Sequence, residues 1–278
     1  MNAKKIRLGL VGKDLTKSPS DKVHNFILSE LGYECEYEKI SVSQEQFDLA
    51  ARRLLGDFDG FNVTIPYKRD IMEYLDGVKG EANEFGAVNT VVCATREGYN
   101  TDGLGFMQML LSAGISVAGK KTLVLGGGGS GRSSAVALKN AGAEVYLYQR
   151  NTEKLLQTAR EIGVKAANGE GGENGVYGGK FEILVNCTGV GMHDTEGQSP
   201  VQASAFAGAE AVVDLIYAPA ESEFLRLAKS KGVKILNGAS MLFYQAYYAD
   251  CLYLNRTPSK EEAENLYKKY LKTKNEVK

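Results

Sequence analysis

Residues 121–150 read KTLVLGGGGSGRSSAVALKNAGAEVYLYQR. The apolar run Lys121–Leu125 is bounded by glycines, which predicts a short buried β-strand. This strand leads into the spacing Gly126-x-Gly128-x-x-Gly131, and an amphipathic helix (Ser133–Ala141) and a second strand (Glu144–Tyr148) are predicted to follow. A strand, a glycine turn, a helix and a strand within roughly 30 residues are typical of a dinucleotide-binding βαβ unit.

The glycine turn has a physical reason in such a unit. Glycine allows a tight turn and lets a pyrophosphate approach bare backbone, while the following helix offers free N–H groups and the positive end of its dipole. A plain glycine-rich strand–helix turn is the alternative, and the regular elements on both sides argue against it. The cofactor contacts predicted in the turn are Gly126, Gly128, Gly129, Ser130 and Gly131.

The end of the second strand indicates which nucleotide binds. NAD sites usually place an acidic residue there for the ribose 2′-hydroxyl, whereas an arginine suits a 2′-phosphate. Here Gln149 and Arg150 stand at this point, followed by Asn151 and by Lys154 at the start of the next helix. Two cations and an amide favour NADP. Without the glycine turn, the same residues would be interpreted as a solvated basic turn.

Length and composition are those of an ordinary two-domain globular protein. The chain has 278 residues, a formal net charge of −1 and no apolar run long enough to cross a bilayer, and it begins with a strand rather than a signal peptide. This balanced charge favours neither nucleic acid nor an anionic membrane as a partner. The four cysteines lie far apart without a CxxC motif, which predicts reduced thiols in a cytoplasmic protein and neither a metal site nor a disulfide framework.

Strands and helices alternate along the chain, which predicts an α/β fold. We expect an N-terminal α/β domain (1–104), a Rossmann-type doubly wound domain for the dinucleotide (105–238) and C-terminal helices (239–278) that pack back on the first domain. Within the first domain, helices are predicted over Tyr67–Leu75 and around Val78–Phe85.

Hydride transfer to a ketone leaves an alkoxide, so a proton donor must lie beside the reacting carbon. His24 and His193 are alternatives as relays, although a packed or solvated histidine is the plainer interpretation of both. Lys68 follows a strand and Pro66, and Asp102 precedes the helix that leads to the nucleotide domain. Both lie at strand ends, where α/β proteins bind ligands, and a carboxylate can orient a lysine that exchanges protons. The alternatives are a surface lysine and a helix N-cap.

Seven motifs follow one another along nearly the whole chain. They are Asn62–Lys68 (NVTIPYK), Gly86–Thr90 (GAVNT), Asn100–Gly103 (NTDG), Gly126–Arg132 (GGGGSGR), Asn186–Met192 (NCTGVGM), Asp214–Tyr217 (DLIY) with Pro219, and Asn237–Leu242 (NGASML) with Gln245. In this order the motifs resemble those of the shikimate dehydrogenase family.

The resemblance implies NADP-linked reduction of 3-dehydroshikimate to shikimate, on the pathway to chorismate and the aromatic amino acids. It makes the N-terminal α/β domain the substrate domain. It also matches Lys68 and Asp102 to the family's catalytic pair, with Lys68 as the proton-transfer group. The residues matched to substrate binding are Asn62, Thr64, Asn89, Tyr217 and Gln245, and those matched to further cofactor contacts are Thr188, Gly238 and Met241.

The carboxylate-binding segment departs from the family pattern. The family uses two hydroxyls of a Ser-x-Ser-Pro segment, to which Thr16-Lys17-Ser18-Pro19 is matched here, so that Thr16 and Ser18 would bind the carboxylate. Quinate/shikimate dehydrogenases carry related changes at this point, because quinate has an additional hydroxyl on C1. Most of them use NAD and have aspartate where this chain has Gln149, which argues against that branch.

Other functions stay open at this level. The enzyme alternative is a quinate/shikimate dehydrogenase or a related polyol-carboxylate dehydrogenase paralogue. A non-catalytic NADP- or metabolite-sensing protein is an alternative of another class. A glycine-loop methyltransferase is disfavoured by Arg150, because such enzymes generally have an acid there for the ribose. The sequence does not decide the oligomeric state, so a homodimer stays open.

Overall fold

The computed structural model describes residues 4–167 and 180–276. The glycine-rich segment 168–179, for which the sequence predicts a surface loop, lies outside the described residues. The described strands are β1 (Lys4–Gly12), β2 (Tyr33–Ser41), β3 (Gly60–Val63), β4 (Gly77–Val78), β5 (Thr90–Val92), β6 (Glu97–Tyr99), β7 (Lys121–Leu125), β8 (Glu144–Tyr148), β9 (Lys165–Ala166), β10 (Ile183–Asn186), β11 (Ala211–Asp214) and β12 (Lys234–Asn237).

Helices alternate with these strands. They are α1 (Ser20–Glu30), α2 (Phe47–Asp57), α3 (Glu81–Phe85), α4 (Asp102–Ser112), α5 (Gly129–Asn140), α6 (Thr152–Ile162), α7 (Glu223–Ser230), α8 (Ala239–Tyr253) and α9 (Lys260–Glu276), with short 3₁₀ helices at Gln44–Gln46, Asp70–Tyr74, His193–Thr195 and Ala203–Phe206. In the part of the chain that the structure describes, none of these helices is both long and apolar enough to cross a membrane.

Contacts divide the chain into two compact units, each an α/β structure. The first unit consists of Met1–Gly105 and Phe243–Lys278, and the second of Phe106–Leu242. Most of α8 and all of α9 therefore belong to the first unit, which confirms that the C-terminal helices pack back on it. The divisions fall after residues 105 and 242, whereas the sequence places the boundaries after residues 104 and 238.

The sheet of the first unit brings several loop segments to one edge. Its order is β2-β1-β3-β5-β6-β4, with β1 parallel to both β2 and β3. Strand β5 runs antiparallel to β3, and β6 runs antiparallel to β5. The chain therefore leaves β1 and β3, enters β5 and leaves β6 at the same edge of the sheet. This topology places Lys68, Asn89 and Asp102 close together, although they lie far apart in sequence.

The second unit is doubly wound, as predicted. Its sheet has the order β12-β11-β10-β7-β8-β9, and each paired strand runs parallel to its neighbour. Strands β10 and β11 are buried along their whole length, as is usual for a parallel sheet covered on both faces. The strand order reverses at β7, with β8 on one side and β10 on the other. Ligands bind at this kind of switch point in open α/β sheets.

The predicted helix over Tyr67–Leu75 is wrong. The segment begins as a turn and then forms a 3₁₀ helix over Asp70–Tyr74. The Lys68 carbonyl accepts a hydrogen bond from Val88 N (2.7 Å), and Met72 N donates instead to Arg69 O (3.0 Å). A hydrogen bond to a neighbouring segment therefore takes the carbonyl that an α-helix would need, and the tighter i→i+3 pattern results.

The predicted helical piece over Val78–Phe85 is also wrong at its start. Val78 lies in β4, which pairs with β6, and Lys79 N continues the pairing by donating to Gly98 O (2.8 Å). Gly80 then adopts φ +58°, a left-handed conformation that glycine tolerates and that separates strand from helix. Only Glu81–Phe85 is helical.

Candidate functional site

Lys68 is held by the residue before it. Tyr67 is fully buried, its ring stacks on Phe47 with centroids 4.3 Å apart, and its hydroxyl donates to Val42 O at 2.7 Å. The Lys68 carbonyl is fixed by Val88 N as described above. The backbone of Lys68 and the side chain of Tyr67 are thus fixed by these contacts. The side chain of Lys68 reaches the edge of the sheet where β3 ends.

Asp102 begins α4 without capping it. Asn100 fixes the backbone at this point, since its Oδ1 accepts from Asp102 N (2.9 Å) and its Nδ2 donates to Ala87 O (3.0 Å). The Asp102 carboxylate instead points at two side chains. Its Oδ2 lies 2.5 Å from Lys68 Nζ, and its Oδ1 accepts from Asn89 Nδ2 at 2.8 Å. The N-cap alternative is therefore not what the structure shows.

The Lys68–Asp102 pair is partly buried and still reachable. The side chains of Lys68 and Asp102 are 18% and 12% exposed. A charge pair at this depth is shielded from most of the solvent, yet its ammonium can still meet a small ligand. An arrangement of this kind can hold a lysine N–H in one direction and exchange its proton with a bound oxygen.

Asn89 is a buried residue that contacts the Asp102 carboxylate of the pair. It is 3% exposed, and its Oδ1 accepts from Thr101 N (2.9 Å) and from the Thr90 hydroxyl (2.8 Å). Asn62 lies next to it, 6% exposed, and donates through Nδ2 to Asn89 O (3.2 Å) and to Thr90 Oγ1 (3.4 Å). The Asn62 amide group is thus engaged inside the protein, and Asn89 Nδ2 faces the Asp102 carboxylate.

Two further predicted residues lie in the first unit. Thr64 is half-buried beside Gly12, where an added Cβ would come within 2.5 Å of the Thr64 methyl group. Gln245 lies on α8 against Gly105, where an added Cβ would be 2.7 Å from Gln245 N. Glycine at 105 therefore allows α8 to approach α4 one turn after Asp102. Tyr217 belongs to the second unit, follows β11 and is 46% exposed.

The loop after β1 presents three hydroxyls, one of which the sequence analysis missed. Thr16 is exposed, and its hydroxyl donates to Asp14 Oδ1 at 2.7 Å. Ser18 and Ser20 are half-buried, and their hydroxyl oxygens lie 3.0 Å apart. Lys39 Nζ donates to the Ser18 carbonyl (3.1 Å) and also pairs with Asp21 (3.5 Å), so the cation beside these hydroxyls is partly neutralised. The available signal was the Ser18-Pro19-Ser20 spacing, which is itself Ser-x-Ser.

The glycine turn of the second unit has the geometry that a pyrophosphate needs. Gly126 has φ +102°, and a Cβ at Gly131 would lie 1.8 Å from the Gly126 carbonyl oxygen. Neither position can therefore carry an ordinary side chain in this conformation. Helix α5 starts at Gly129 with Gly128 as its N-cap, and no side chain of residues 4–167 or 180–276 caps it. Its first-turn N–H groups, including that of Ser130, are thus free to bind an anion.

The four predicted cofactor residues after β8 differ in their contacts and in their exposure to solvent. Gln149 lies over the glycine turn, since a Cβ at Gly127 would be 2.2 Å from Gln149 Oε1. Asn151 caps α6, its Oδ1 accepting from Lys154 N at 2.8 Å. Arg150 and the Lys154 side chain are exposed, and neither forms an ion pair among the described residues. These two cations, one just after β8 and one in the first turn of α6, therefore have no carboxylate partner in the part of the chain that the structure describes.

The remaining predicted cofactor residues lie at the same sheet edge. Thr188 follows β10 and approaches Gly126, where an added Cβ would be 3.0 Å from its methyl group. Gly238 follows β12, and a Cβ there would lie 2.2 Å from Leu215 O. Met241 is buried in the first turn of α8. Burial raises the pKa of the nearby Cys187 thiol to about 12, so this cysteine is not a nucleophile at neutral pH.

Neither histidine lies at the Lys68–Asp102 pair. His24 is fully buried, and its Nδ1 lies 2.6 Å from Asp250 Oδ1. His193 is exposed in the second unit, in a short 3₁₀ helix. Lys68, and neither histidine, is therefore the basic side chain that lies beside the Asp102 carboxylate.

Comparison with known proteins agrees with this arrangement. A family model described as the shikimate dehydrogenase substrate binding domain matches residues 10–91. The chain is 37% identical over 255 residues to a shikimate dehydrogenase (NADP(+)) of Thermus thermophilus, which covers 91% of this chain and 94% of that protein.

Solved structures give the same result. The shikimate 5-dehydrogenase from Thermus thermophilus in complex with NADP(H) and shikimate has a TM-score of 0.84 at 34% identity, covering 95% of this chain and 99% of that chain. A chorismate mutase/shikimate 5-dehydrogenase fusion protein from Clostridium acetobutylicum has a TM-score of 0.86 at 30% identity, covering 98% and 99%. The protein described here therefore belongs to the shikimate dehydrogenase family.

Proposed function

We propose that this protein is an NADP-dependent shikimate dehydrogenase that reversibly reduces 3-dehydroshikimate to shikimate. The observation that carries the proposal is the Lys68–Asp102 pair, 2.5 Å apart and partly exposed, in a chain that also has an uncapped glycine turn for a dinucleotide. The relatives named above carry this activity in their names, and one of them was crystallised with NADP(H) and shikimate.

The pair supplies the proton that the reaction needs. NADP, when bound, supplies or accepts the hydride. In reduction, the ketone oxygen becomes an alkoxide and Lys68 gives it a proton from Nζ; in oxidation, Lys68 takes the hydroxyl proton back. Asp102 holds the lysine through Oδ2, and Asn89 fixes Asp102 through Oδ1. Each group thus has one orientation before substrate arrives, which lowers the entropic part of the barrier.

We assign the first unit to the substrate and the second to NADP. The residues proposed to bind the substrate hydroxyls are Thr64, Asn89, Tyr217 and Gln245. The glycine turn would bind the pyrophosphate, with Gln149, Asn151, Thr188, Gly238 and Met241 around the nucleotide. This assignment is supported by the family model, which describes residues 10–91 as a substrate binding domain.

Arg150 is proposed to bind the 2′-phosphate that distinguishes NADP from NAD. Arg150→Ala is expected to raise the Kd of NADP roughly 10- to 100-fold, because charge-assisted hydrogen bonds contribute about 1.5–3 kcal/mol. The Kd of NAD should stay unchanged. Fluorescence titration of both nucleotides measures the effect, and Arg160→Ala, which removes an exposed cation from the other end of α6, is the matched control. Equal losses for NADP and NAD would contradict the role.

For the substrate carboxylate, we propose the hydroxyl pair Ser18 and Ser20. These hydroxyls are half-buried and adjacent, whereas the Thr16 hydroxyl is exposed and already donates to the Asp14 carboxylate. A second carboxylate placed on Thr16 would face Asp14 and be repelled. With Ser20 as partner of Ser18, the threonine at 16 no longer bears on the choice between shikimate and quinate.

Ser20→Ala is expected to raise the KM of shikimate about tenfold, because it removes a hydrogen bond to a charged group. Thr16→Val, which removes a hydroxyl of the same loop and keeps the shape, should leave KM within about twofold. Steady-state kinetics of shikimate oxidation with NADP⁺ measures both. A larger rise in KM for Thr16→Val than for Ser20→Ala would assign carboxylate binding to Thr16 instead.

One grid of activities tests the proposed function: NADP⁺ or NAD⁺ against shikimate or quinate. We expect turnover mainly with NADP⁺ and shikimate. Comparable kcat/KM on quinate would favour the quinate/shikimate dehydrogenase alternative. Nucleotide binding without turnover of either polyol would favour a sensing protein.

We also propose that the enzyme works in the cytoplasm. The cysteines Cys35, Cys93, Cys187 and Cys251 are free thiols, as expected in a reducing compartment. A homodimer stays a prediction, which sedimentation velocity would test.

A further inference from the structure

We propose that Asp214 is a positioning residue whose buried carboxylate, acting as a hydrogen-bond acceptor, holds the segments after β10, β11 and β12 in place for NADP and the substrate. The inference rests on the proposed function for the identity of these two ligands. Asp214 belongs to one of the seven motifs, in which only Tyr217 has been given a role. The basis of the inference is a set of hydrogen bonds within the second unit.

The Asp214 carboxylate is matched by three donors. Asp214 ends β11 and is fully buried. Its Oδ1 accepts from Ile216 N and from Asn186 Nδ2, both at 3.0 Å, and its Oδ2 accepts from the Ser222 hydroxyl at 2.5 Å. All three donors are neutral groups. A buried carboxylate bonded in this way has one orientation, and it fixes the donors in turn.

One series of hydrogen bonds leads to the segment after β10. Asn186 ends β10 and is fully buried, and its Oδ1 accepts from the backbone N (3.0 Å) and the hydroxyl (2.6 Å) of Thr188. The Thr188 hydroxyl oxygen accepts in turn from Val190 N (3.1 Å). Because this hydroxyl is engaged, the methyl group of Thr188 is the part that approaches Gly126 in the glycine turn. The position of Thr188 therefore depends on Asn186, which Asp214 holds.

A second series leads to the segments after β11 and β12. Ile216, whose N–H donates to Asp214, directly precedes Tyr217, which is assigned to the substrate. The Ile216 carbonyl accepts from Gly238 N (3.2 Å), and an added Cβ at Gly238 would lie 2.2 Å from Leu215 O. The backbone of Ile216 thus joins Asp214 to a glycine that is assigned to the nucleotide.

One acceptor therefore bears on both ligands. Thr188 and Gly238 are each two hydrogen bonds away from Asp214, and Tyr217 is next to a residue that bonds to it directly. Without the acceptor, the donors of Asn186 and Ile216 would be buried and unpaired, which is costly enough to make these segments open toward water. A ligand would then have to order them again as it binds.

The test compares Asp214→Ala with Asp214→Asn. Alanine removes the acceptor, so we expect amide hydrogen exchange at Thr188, Val190 and Ile216 to become about tenfold faster or more in the protein without nucleotide. The Kd of NADP and the KM of shikimate should each rise about tenfold. Hydrogen exchange followed by NMR, fluorescence titration and steady-state kinetics measure these effects.

Asparagine keeps Oδ1 for Ile216 and Asn186, and its Nδ2 can face the Ser222 hydroxyl oxygen. All three quantities should therefore stay within about threefold of the wild type, since the donors need an acceptor and not a charge. The proposal is overturned if Asp214→Ala leaves exchange and Kd within twofold of the wild type, or if Asp214→Asn is impaired as much as Asp214→Ala.

Ser222→Ala is the matched control. It removes a hydrogen bond to the same carboxylate and the N-cap of α7, but it leaves the hydrogen bonds of Thr188, Val190 and Ile216 in place. We expect a lower unfolding temperature, with the Kd of NADP and exchange at the three amides within about twofold of the wild type. Equal rises in Kd for Ser222→Ala and Asp214→Ala would mean that Asp214 supports only the fold, and would overturn the proposal.

If Asp214→Ala does not fold, Asn186→Ala decides in its place. It breaks only the series to Thr188, so exchange at Thr188 and Val190 and the Kd of NADP should rise while exchange at Ile216 stays unchanged. Exchange at Thr188 and Val190 within twofold of the wild type would overturn the proposal.

Hydrogen exchange and the Kd of NADP need no turnover, so function and inference can fail separately. A wild type that binds NADP without oxidising shikimate overturns the proposed function, and these two measurements still decide the role of Asp214 toward the nucleotide. An active wild type in which Asp214→Ala changes neither measurement overturns only the inference.

Discussion

Lys68→Met is expected to lower kcat for shikimate oxidation by about 10³-fold, within the range usual for loss of a positioned acid–base group. Methionine keeps the unbranched stem and removes the ammonium, so the reacting hydroxyl has no group to take its proton. The nucleotide site proposed above lies on the second unit, and we therefore expect the Kd of NADP to stay unchanged. Stopped-flow and steady-state kinetics measure kcat, and fluorescence titration measures Kd.

Asp102→Asn is the companion variant. The amide leaves the Lys68 ammonium without its counter-charge and presents N–H groups to it, so we expect a loss of kcat of about 10²-fold or more. Lys79→Met is the control for loss of a lysine that pairs with a carboxylate, because Lys79 pairs with Glu97 (3.0 Å) and its side chain is half exposed. If Lys68→Met retained kcat within tenfold of Lys79→Met, proton transfer would have to be assigned elsewhere.

The elements that decide the second unit could be predicted because their causes are local. The structure has β7 over Lys121–Leu125 and β8 over Glu144–Tyr148, the same limits that the apolar runs and their flanking glycines predict. Helix α5 nevertheless begins at Gly129, four residues before the predicted start at Ser133. Glycines weaken helix propensity, and only the tertiary contact of Gly131 with Gly126 shows why they are helical here.

The first unit was harder to predict, because long-range hydrogen bonds decide its loops. The segment from Tyr67 became a turn and a 3₁₀ helix since Val88, twenty residues on, took the Lys68 carbonyl. The sequence analysis did not select Ser20, because it matched Thr16-Lys17-Ser18 to the family's Ser-x-Ser segment, whereas Ser18-Pro19-Ser20 has the same spacing two residues later. The structure shows the Ser20 hydroxyl beside that of Ser18. The pairing of His24 with Asp250 spans 226 residues and leaves no local pattern.

Gly131→Ala is expected to destabilise the second unit by about 3 kcal/mol and to raise the Kd of NADP about tenfold or more. The added Cβ would lie 1.8 Å from the Gly126 carbonyl oxygen, which is backbone and cannot rotate away as a side chain can. The turn or the start of α5 must therefore shift, a strain at the upper end of usual overpacking costs. Scanning calorimetry without nucleotide measures the unfolding transition, and titration measures Kd.

Gly129→Ala is the control that separates the clash at Gly131 from the general effect of replacing a helical glycine by alanine. It is the same substitution two residues earlier on the same helix, and an added Cβ there meets no atom within 4 Å. Because alanine is the better helix former, we expect an unchanged or higher unfolding temperature, with a gain of up to about 1 kcal/mol. The difference between the two variants then reports the close approach of Gly131 to Gly126. Equal unfolding temperatures would mean that the turn accommodates a side chain, and that its glycines serve the nucleotide rather than the fold.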